Sequence, residues 1–425
     1  MAAPLILGLL GVSCAKPQVE AEKEPERPLN ETAVDAISPL RMRAHTEVLA
    51  DDGRGGRIPG SFGHWVARDY IQAEMQEIGL VPVGIEDSYL FPYENEPRED
   101  RFQALADGTV VPQEVEVGYD IVGMIPGSDP ERAGEYLVVM AHYDHLGVNE
   151  QGLVYNGAFD NAAAVAMSLE IARVFLSEDV SLGRSIVFLF TDDEESGLDG
   201  SRAWIEEPTV PVEDIVLGIS ADPLGRPLLP DYSPMVLLGL ERSPALEERF
   251  RGMAWLSDVD VHFIHRDVVP VFASDQDSFY DASWPVPALW MTNPGFSFYH
   301  TVDDTAETID YRMLLADGRF LAQVLAFFAN DTERFEYLGP TEPGTQAAED
   351  ASGLFGAVLD SKLLSESERE QAEYFQAELE GVIEAGSMDV LRHPESFFTA
   401  ALYFLLFELG WAHPGEIPPP FPETK

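Results

Sequence analysis

Seven acidic and imidazole side chains of this sequence could bind metal ions or move protons. Neutral imidazole nitrogens and carboxylate oxygens are ligands that zinc and related divalent ions accept. A single catalytic zinc needs three protein ligands and one open position, so a set of this size suffices for two ions if one carboxylate bridges them. The seven residues are His142, Asp144, Asp160, Glu194, Glu195, Asp222 and His300.

Each of these residues also has an ordinary structural explanation when it is taken alone. His142 could be a buried histidine with satisfied hydrogen bonds. Asp160 precedes a long apolar stretch and could cap the N-terminus of a helix. Asp222 stands before Pro223 and could begin a turn. The metal hypothesis therefore depends on whether the fold brings all of these side chains together.

Four consecutive acidic residues, from Asp192 to Glu195, follow the apolar run at 185–190. Like charges at this spacing repel one another, so the cluster requires a positive partner, and a metal ion would supply one. Glu194 and Glu195 are the candidates for chemistry, whereas Asp192 and Asp193 are expected to face solvent.

Four short apolar runs, each rich in aliphatic residues, must position the candidate side chains. Each run leads into a polar cluster that holds at least one of them; the runs are 136–140, 185–190, 214–220 and 286–291. Such runs alternate with longer segments of helical period over residues 31–335. This pattern predicts an α/β domain with a mostly parallel central sheet flanked by helices. Ligand sites of such sheets lie at the carboxyl ends of the strands, so the candidate residues should converge there.

Composition and missing motifs exclude several classes of function. The 425 residues include 26 basic and 75 acidic ones, which gives a formal charge of −49. Such a field repels nucleic acid and favours cations and free amines. The sequence contains no HExxH zinc-protease motif, no GxSxG serine-hydrolase motif and no glycine-rich phosphate loop.

The first thirty residues predict export rather than a folded domain. Residues 2–13 are apolar, too short to span a membrane and suited to the core of a signal peptide. Cys14, the one cysteine of the sequence, stands where a bacterial lipoprotein signal places its acylated cysteine. The alternative is a plain cleaved signal. Residues 15–30 predict a tether, and we expect a protein of the bacterial envelope, lipid-anchored or periplasmic, or a secreted one.

Residues 336–425 are predicted to form a linker and a small helical C-terminal extension. The linker is expected at 339–353. Ser365 and Glu368 fit a capping box, which predicts an amphipathic helix over 365–386. The apolar stretch at 397–407 is too short to cross a bilayer and is expected to pack on the main domain or on a second subunit.

Five stretches, in chain order, resemble the M28 family of co-catalytic dizinc aminopeptidases. They are AHYDHLG, NGAFDNAAAVAMSLEIAR, EESGLDGS, ADPLGR and YHTVDDTAETID, and two further stretches, GRIPGS (56–61) and YDIVGMIPGSDP (119–130), agree with them. The resemblance covers roughly residues 45–330. It implies a three-layer sandwich of the zinc-peptidase type, with a mostly parallel sheet between layers of helices.

The resemblance also implies how this chain would hold two Zn²⁺ ions. One zinc would be bound by His142 and Asp222, and the other by Glu195 and His300. Asp160 would bridge the two.

Three further residues gain roles by the same resemblance. Asp144 would orient His142 without binding metal, a role that outer carboxylates commonly have. Glu194 would be the general base, which takes the proton of a zinc-activated water and returns it to the leaving amine. Tyr299 would donate a hydrogen bond to the oxyanion of the tetrahedral intermediate.

By resemblance, the chain would therefore be a metallopeptidase that removes N-terminal amino acids from peptides with a free N-terminus. One alternative is an aminoacyltransferase like glutaminyl cyclase, which shares this fold but resembles a one-zinc site. Further alternatives are a carboxypeptidase or dipeptidase of the same family and a binding protein without activity. The full ligand set favours the hydrolase over the cyclase, and Glu194 favours an enzyme because binding metal alone does not need a base.

Overall fold

The computed structural model of the protein describes residues 27–95, 102–104, 110–112, 117–269, 273–391 and 393–409. Cys14, the signal segment and most of the tether lie outside these residues, so their assignment stays a prediction. The first helix, α1, spans Glu31–Asp35, and Asn30 caps it by accepting a hydrogen bond from the backbone N–H of Ala33.

A nine-stranded sheet lies at the centre of the described part of the chain. A separate two-stranded sheet joins the third and fourth strands. The described strands are β1 (Val81–Pro82), β2 (Leu90–Glu94), β3 (Phe102–Ala104), β4 (Val110–Pro112), β5 (Val117–Ile125), β6 (Tyr136–His142), β7 (Ser185–Thr191), β8 (Ile215–Ala221), β9 (Met235–Leu238), β10 (Val261–Ile264) and β11 (Ala288–Thr292).

The four apolar runs predicted from the sequence are neighbouring strands in the middle of this sheet. They lie side by side in the order β7, β6, β8, β11, and all of them are parallel. The flanking strands β5 and β9 run antiparallel to this group, so the sheet is mixed around a parallel centre. The predicted α/β fold class is thus confirmed, and the register places the carboxyl ends of the four strands at one edge.

Helices cover both faces of the sheet, as the three-layer prediction requires. Successive residues of a strand point to opposite faces, so Leu137 and Val139 of β6 face one core while Val138 and Met140 face the other. The remaining helices are α2 (Pro39–Leu49), α3 (Phe62–Ile78), α4 (Ala163–Ser177), α5 (Asp199–Glu206), α6 (Pro244–Met253), α7 (Gln276–Asp281), α8 (Tyr311–Asn330), α9 (Thr345–Leu359), α10 (Glu366–Ala385) and α11 (Pro394–Tyr403). Helices α2, α3, α4 and α8 form one layer, and α5 with α7 forms the other.

The C-terminal helices pack on the β9–β10 edge of the sheet. Leu238 and Ile264 of that edge share a core with Leu354 and Phe355 of α9. Helix α10 begins with the predicted capping box of Ser365 and its third helical residue. The predicted linker at 339–353 is wrong in its second half, because α9 already begins at residue 345. Alanines at 347, 348 and 351 recur at helical spacing and are buried, which outweighs the glycines of that stretch.

The apolar stretch near the C-terminus packs on the main domain. Leu406 belongs to the large core that contains α4 and α8, and the Phe407 ring lies 6.1 Å from that of Phe296. None of the helices in the described ranges is both long enough and apolar enough to cross a bilayer.

Helix α8 carries a buried acid that has no ion-pair partner in the described ranges. Asp317 is fully buried, its Oδ1 accepts a long 3.5 Å hydrogen bond from Asn293 Nδ2, and its Oδ2 has no partner among the described residues. Burial raises the pKa of Asp317 to about 8. The unfolded chain has an aspartate pKa of about 3.9, so between these two values the folded state binds more protons. The free energy of unfolding should therefore fall as the pH rises through this interval.

We expect Asp317→Asn to be more stable than the wild type near pH 8 and similar to it near pH 4. The amide resembles the protonated acid in shape and keeps an acceptor for Asn293, so no ionisation cost remains. Urea unfolding at about pH 4 and at about pH 8 measures the difference, with the exposed Asp281→Asn as a charge-matched control. A stability difference that does not change between the two pH values would contradict an elevated pKa of Asp317.

Candidate metal centre

The carboxyl ends of the parallel strands deliver most of the candidate side chains to one place. His142 is the last residue of β6, and Asp222 follows directly after β8. Glu194 and Glu195 follow β7 in a short turn, and His300 lies in the loop after β11. The strand order β7, β6, β8, β11 makes these ends adjacent, so residues far apart in the chain become neighbours.

Asp160 lies between the two histidines of the predicted ligand set. Its Oδ1 is 2.9 Å from His142 Nε2, and its Oδ2 is 3.1 Å from His300 Nε2. The alternative that Asp160 caps a helix is wrong, because Ala162 occupies the cap position of α4. The two oxygens of Asp160 thus point to two different groups of donors.

The first group consists of His142, Asp160 and Asp222. His142 Nε2 lies 3.3 Å from Asp222 Oδ1 as well as near Asp160. The other oxygen of Asp222 accepts a 2.6 Å hydrogen bond from Ser274, which fixes the carboxylate. All three ligand residues are buried, and their donor atoms lie within 4.8 Å of one another.

The second group surrounds the other oxygen of Asp160. His300 Nε2 lies 2.9 Å from Glu195 Oε2, and the Tyr299 ring stacks on the His300 ring with centroids 3.8 Å apart. A further histidine, His145, lies 2.6 Å from Glu195 Oε1. This group therefore offers Asp160 and Glu195 with two histidines: the donor atoms of His145 lie within 4.8 Å of theirs, and His300 Nε2 contacts both carboxylates.

The raised pKa values of His142 and His300 show that the surrounding carboxylates stabilise positive charge at this site. Burial lowers the pKa of His142, but the carboxylates of Asp222, Asp144 and Asp160 raise it well above the usual range. At His300, Glu195 and Asp160 overcome the opposing effect of burial and raise the pKa to about 10. Carboxylates that keep two imidazoles protonated would also stabilise divalent cations bound in place of those protons.

The donor set fits divalent cations. Asp160 Oδ2 and Asp222 Oδ1 are buried, and within the described residues neither accepts a hydrogen bond of good geometry, although an imidazole nitrogen of His300 or His142 lies 3.1 or 3.3 Å away. Unpartnered buried carboxylate oxygens are costly unless a cation or a donor meets them. Together with two imidazole nitrogens and a third carboxylate, they form the nitrogen and oxygen set that zinc prefers. Both groups could each hold one cation, with Asp160 common to them.

Glu194 and Asp144 lie beside the ligands. Asp144 is buried, and its carboxylate accepts hydrogen bonds from the backbone N–H groups of Glu194 and Glu195 at 3.1 and 3.4 Å. Its distance to His142 Nδ1 is 3.4 Å, so its better contact is with the Glu194 backbone. Burial, together with Asp222 and Glu195, raises the pKa of Glu194 well above its usual range, which is the direction expected for a group that holds a proton between two steps.

The expectation that Asp192 and Asp193 face solvent is wrong. Both side chains are buried. Asp192 Oδ1 lies 2.8 Å from His64 Nε2, and its Oδ2 accepts a hydrogen bond from the Tyr119 backbone. Asp193 accepts a hydrogen bond from Asn95 Nδ2. The acidic run thus divides into two structural aspartates with protein partners and two glutamates at the candidate metal centre.

Residues outside the predicted set hold the loops of the centre in place. Asp304 accepts hydrogen bonds from the backbone N–H groups of Phe159 and Asp160, which fixes the backbone at Asp160. Arg57 is fully buried and donates to four backbone carbonyls, among them those of Tyr143 and Gly157. Arg57 lies within GRIPGS and Asp304 within YHTVDDTAETID, so the resembling stretches contained them, but residue type alone did not reveal their partners.

Comparison with known proteins agrees with this fold. The model of peptidase family M28 matches residues 120–325, which include all the predicted ligands, so the resemblance to this family is confirmed over that segment. A putative endoplasmic reticulum metallopeptidase 1 from Schizosaccharomyces pombe is 30% identical over 187 residues, or 40% of this chain. The match spans only 20% of that protein's length.

Other similar proteins have different activities. A glutaminyl-peptide cyclotransferase from Gloydius blomhoffii is 24% identical over 297 residues, which is 60% of this chain and 72% of that protein. The crystal structure of the LapA aminopeptidase from Legionella pneumophila superposes with a TM-score of 0.53 at 17% identity, covering 73% of this chain and 79% of that one. This protein therefore has an M28-type metallopeptidase fold, and the fold is shared by peptidases and cyclases.

Proposed function

We propose that this protein is a dizinc exopeptidase that removes amino acids from the N-termini of peptides. The observation that carries the proposal is the pair of donor groups that share Asp160. His142 and Asp222 would hold one zinc, and Glu195 and His300 the other. When bound, such a pair lowers the pKa of a bound water towards ~7 and polarises the carbonyl of the scissile bond.

Glu194 is the residue suited to carry the proton. Its carboxylate would accept a proton from the attacking water and return that proton to the nitrogen of the leaving amine, so the base is regenerated in each turnover. The hydrogen bonds from the Glu194 and Glu195 backbones to Asp144 fix the turn on which this carboxylate sits. A raised pKa favours the first step, because a carboxylate with a higher pKa is a stronger base towards the attacking water.

Tyr299 is suited to stabilise the oxyanion. Burial and the neighbouring acidic groups raise the pKa of its phenol well above its usual value, so the hydroxyl keeps its proton and can donate it in a hydrogen bond. Stacking on His300 holds the ring next to the second donor group. A hydrogen bond directed at the oxygen that becomes negative would lower the barrier to attack.

The charge around the site supports cleavage at the amino end. Carboxylates dominate the centre, and the whole chain has a formal charge of −49. A protonated α-amine is attracted by such a field, and a free C-terminal carboxylate is repelled by it. We therefore favour an aminopeptidase over a carboxypeptidase.

Glutaminyl cyclase activity is the second candidate, since curated relatives with 24% identity are cyclotransferases. In that reaction the α-amine of an N-terminal glutamine attacks its own side-chain amide carbon, and ammonia leaves. Glu194 could move the proton from the amine to the departing ammonia. The two candidates differ in product, because the peptidase releases an amino acid and the cyclase releases ammonia from an otherwise intact peptide.

A panel of short peptides tests the proposal. It contains one peptide with a free N-terminus, its N-acetylated form, its C-terminally amidated form and a form that begins with glutamine. Mass spectrometry of the products should show loss of the first residue from every peptide with a free amine, and a chelator should abolish it. Release of the last residue would indicate a carboxypeptidase, and ammonia without residue loss a cyclase. No turnover of any peptide by zinc-loaded protein would contradict an enzymatic role.

A further inference from the structure

His145 is a buried histidine beside the candidate metal centre to which the sequence assigns no role. It lies three residues after His142 and is 1% exposed. Its Nδ1 is 2.6 Å from Glu195 Oε1 and 3.8 Å from Asp160 Oδ2. The short contact is a hydrogen bond in which Nδ1–H donates to the carboxylate, and such charge-assisted bonds are shorter and stronger than neutral ones.

The two oxygens of Glu195 are divided between two histidines. Oε1 accepts the hydrogen bond from His145, and Oε2 lies 2.9 Å from His300 Nε2. His300 is also the closer of the two histidines to Asp160, at 3.1 Å. A cation held by Asp160, His300 and Glu195 would thus be met by Oε2, and the bond to His145 would keep Oε1 turned away from it.

The surrounding backbone holds the His145 ring in place. A Cβ atom on Gly157 would lie 2.5 Å from the ring carbons of His145, so only glycine permits this packing. Gly157 also has a φ of 58°, in the left-handed region that glycine adopts without strain. The Gly157 carbonyl accepts a hydrogen bond from Arg57 Nη2, and the backbone N–H of His145 donates to the backbone carbonyl of Arg57. The donor to Glu195 is therefore rigid.

The second ring nitrogen of His145 makes no compensating contact. Nε2 is buried and has no hydrogen-bond partner within the described residues. A histidine kept only for packing would be replaced at no cost by an apolar side chain, whereas an unpartnered buried nitrogen lowers stability. Among the described residues, the ring's one hydrogen bond is to Glu195, and Asp160 lies further away, at 3.8 Å.

We propose that His145 is a positioning residue that fixes the carboxylate of Glu195 so that a single oxygen faces the second cation. This inference rests on the metal pair of the proposed function. Outer groups that orient metal ligands typically change metal affinity by 10–100-fold when they are removed. Removing the His145 side chain should therefore weaken the binding of one of the two ions and leave the affinity for the other unchanged.

The test compares three substitutions of the full-length protein. His145→Asn places an amide nitrogen near the position of Nδ1, His145→Leu has no donor, and His145→Gln carries its nitrogen one bond further out. Zinc affinity is measured for both ions by competition with a chromophoric chelator, and the folding of each variant by thermal unfolding. His262→Leu is the matched control, since His262 is hydrogen-bonded to Tyr232 and is not part of the centre.

We expect His145→Leu and His145→Gln to bind one ion normally and the other about 10–100-fold more weakly, with His145→Asn close to the wild type. If the Leu variant does not fold, the Gln and Asn variants still decide the matter. Unchanged affinities in the Leu or Gln variant would overturn the proposal. Equal losses in all three would make His145 a direct ligand, because an amide cannot replace an imidazole at zinc. A wild type that binds fewer than two ions would instead contradict the proposed function.

Discussion

Replacing Glu194 by glutamine is expected to reduce kcat/KM for peptide cleavage by about 10²–10⁴-fold while the protein still binds its metal ions. Glutamine has the shape of glutamate but cannot act as a general base, and the proposed ligand set does not include Glu194. The backbone contact from residue 194 to Asp144 does not depend on the side chain and should persist. Steady-state kinetics and metal analysis of the same preparation measure the two effects separately.

Glu150→Gln is the matched control for this prediction. Glu150 is an exposed residue of the loop after β6, so the same substitution there removes a charge without touching the centre. We expect wild-type rates from the control. A Glu194→Gln protein that retains full activity would show that another group carries the proton, and loss of metal would show that Glu194 is a ligand.

Replacing Asp160 by asparagine is expected to weaken the binding of both metal ions together, which is the second large effect. Asp160 contacts His142 through one oxygen and His300 through the other, so no other described residue belongs to both donor groups. The loss of affinity should exceed the ~100-fold that removal of an outer contact costs. Isothermal titration of the chelated protein with zinc measures both sites, and cleavage activity should fall below detection.

Asp303→Asn controls for the lost charge, because Asp303 is exposed and lies in the same loop region as His300. It should bind two ions with wild-type affinity. If Asp160→Asn weakens metal binding at only one site, the two sites are independent, which would contradict a shared Asp160. Zinc should also raise the thermal unfolding midpoint of the wild type and of the control but not that of Asp160→Asn, because a ligand stabilises only the state that binds it.

The strands at the centre of the sheet were predictable because their sequence is constrained by burial. A parallel strand covered on both faces must be apolar along its whole length, as in the run at 185–190, which lies within β7. The end of such a run marks the sheet edge, and this is why His142 and Asp222 could be placed beside each other. The sequence pattern thus predicted both the fold class and the convergence of the candidate side chains.

Burial of Asp192 and Asp193 was not predictable from local sequence. Their partners, His64 and Asn95, are separated from them by 128 and 98 residues. A run of four acidic residues normally favours solvent because each charge is costly to bury, and only a long-range partner reverses that preference. His145 was missed for a similar reason, since its contact with Glu195 spans 50 residues.

The packing of the C-terminal helices could be predicted neither from the family resemblance nor from the local sequence pattern. They lie beyond the segment 120–325 that matches the M28 family model. The amphipathic pattern and the capping box predicted α10 correctly, whereas the edge of the sheet on which the helices pack is a tertiary feature. Gly339, Gly344 and Gly353 favoured a linker over 339–353, and burial of the alanines against the sheet edge reversed that preference.

The most direct test of the account is anomalous diffraction at the zinc edge from crystals of the zinc-loaded protein. We predict two peaks about 3.5–4 Å apart, as in other paired-metal sites. One peak should lie against His142 and Asp222, the other against Glu195 and His300, with Asp160 reaching both. A single peak, or two peaks that do not share Asp160, would contradict the central claim that this chain binds a bridged pair of metal ions.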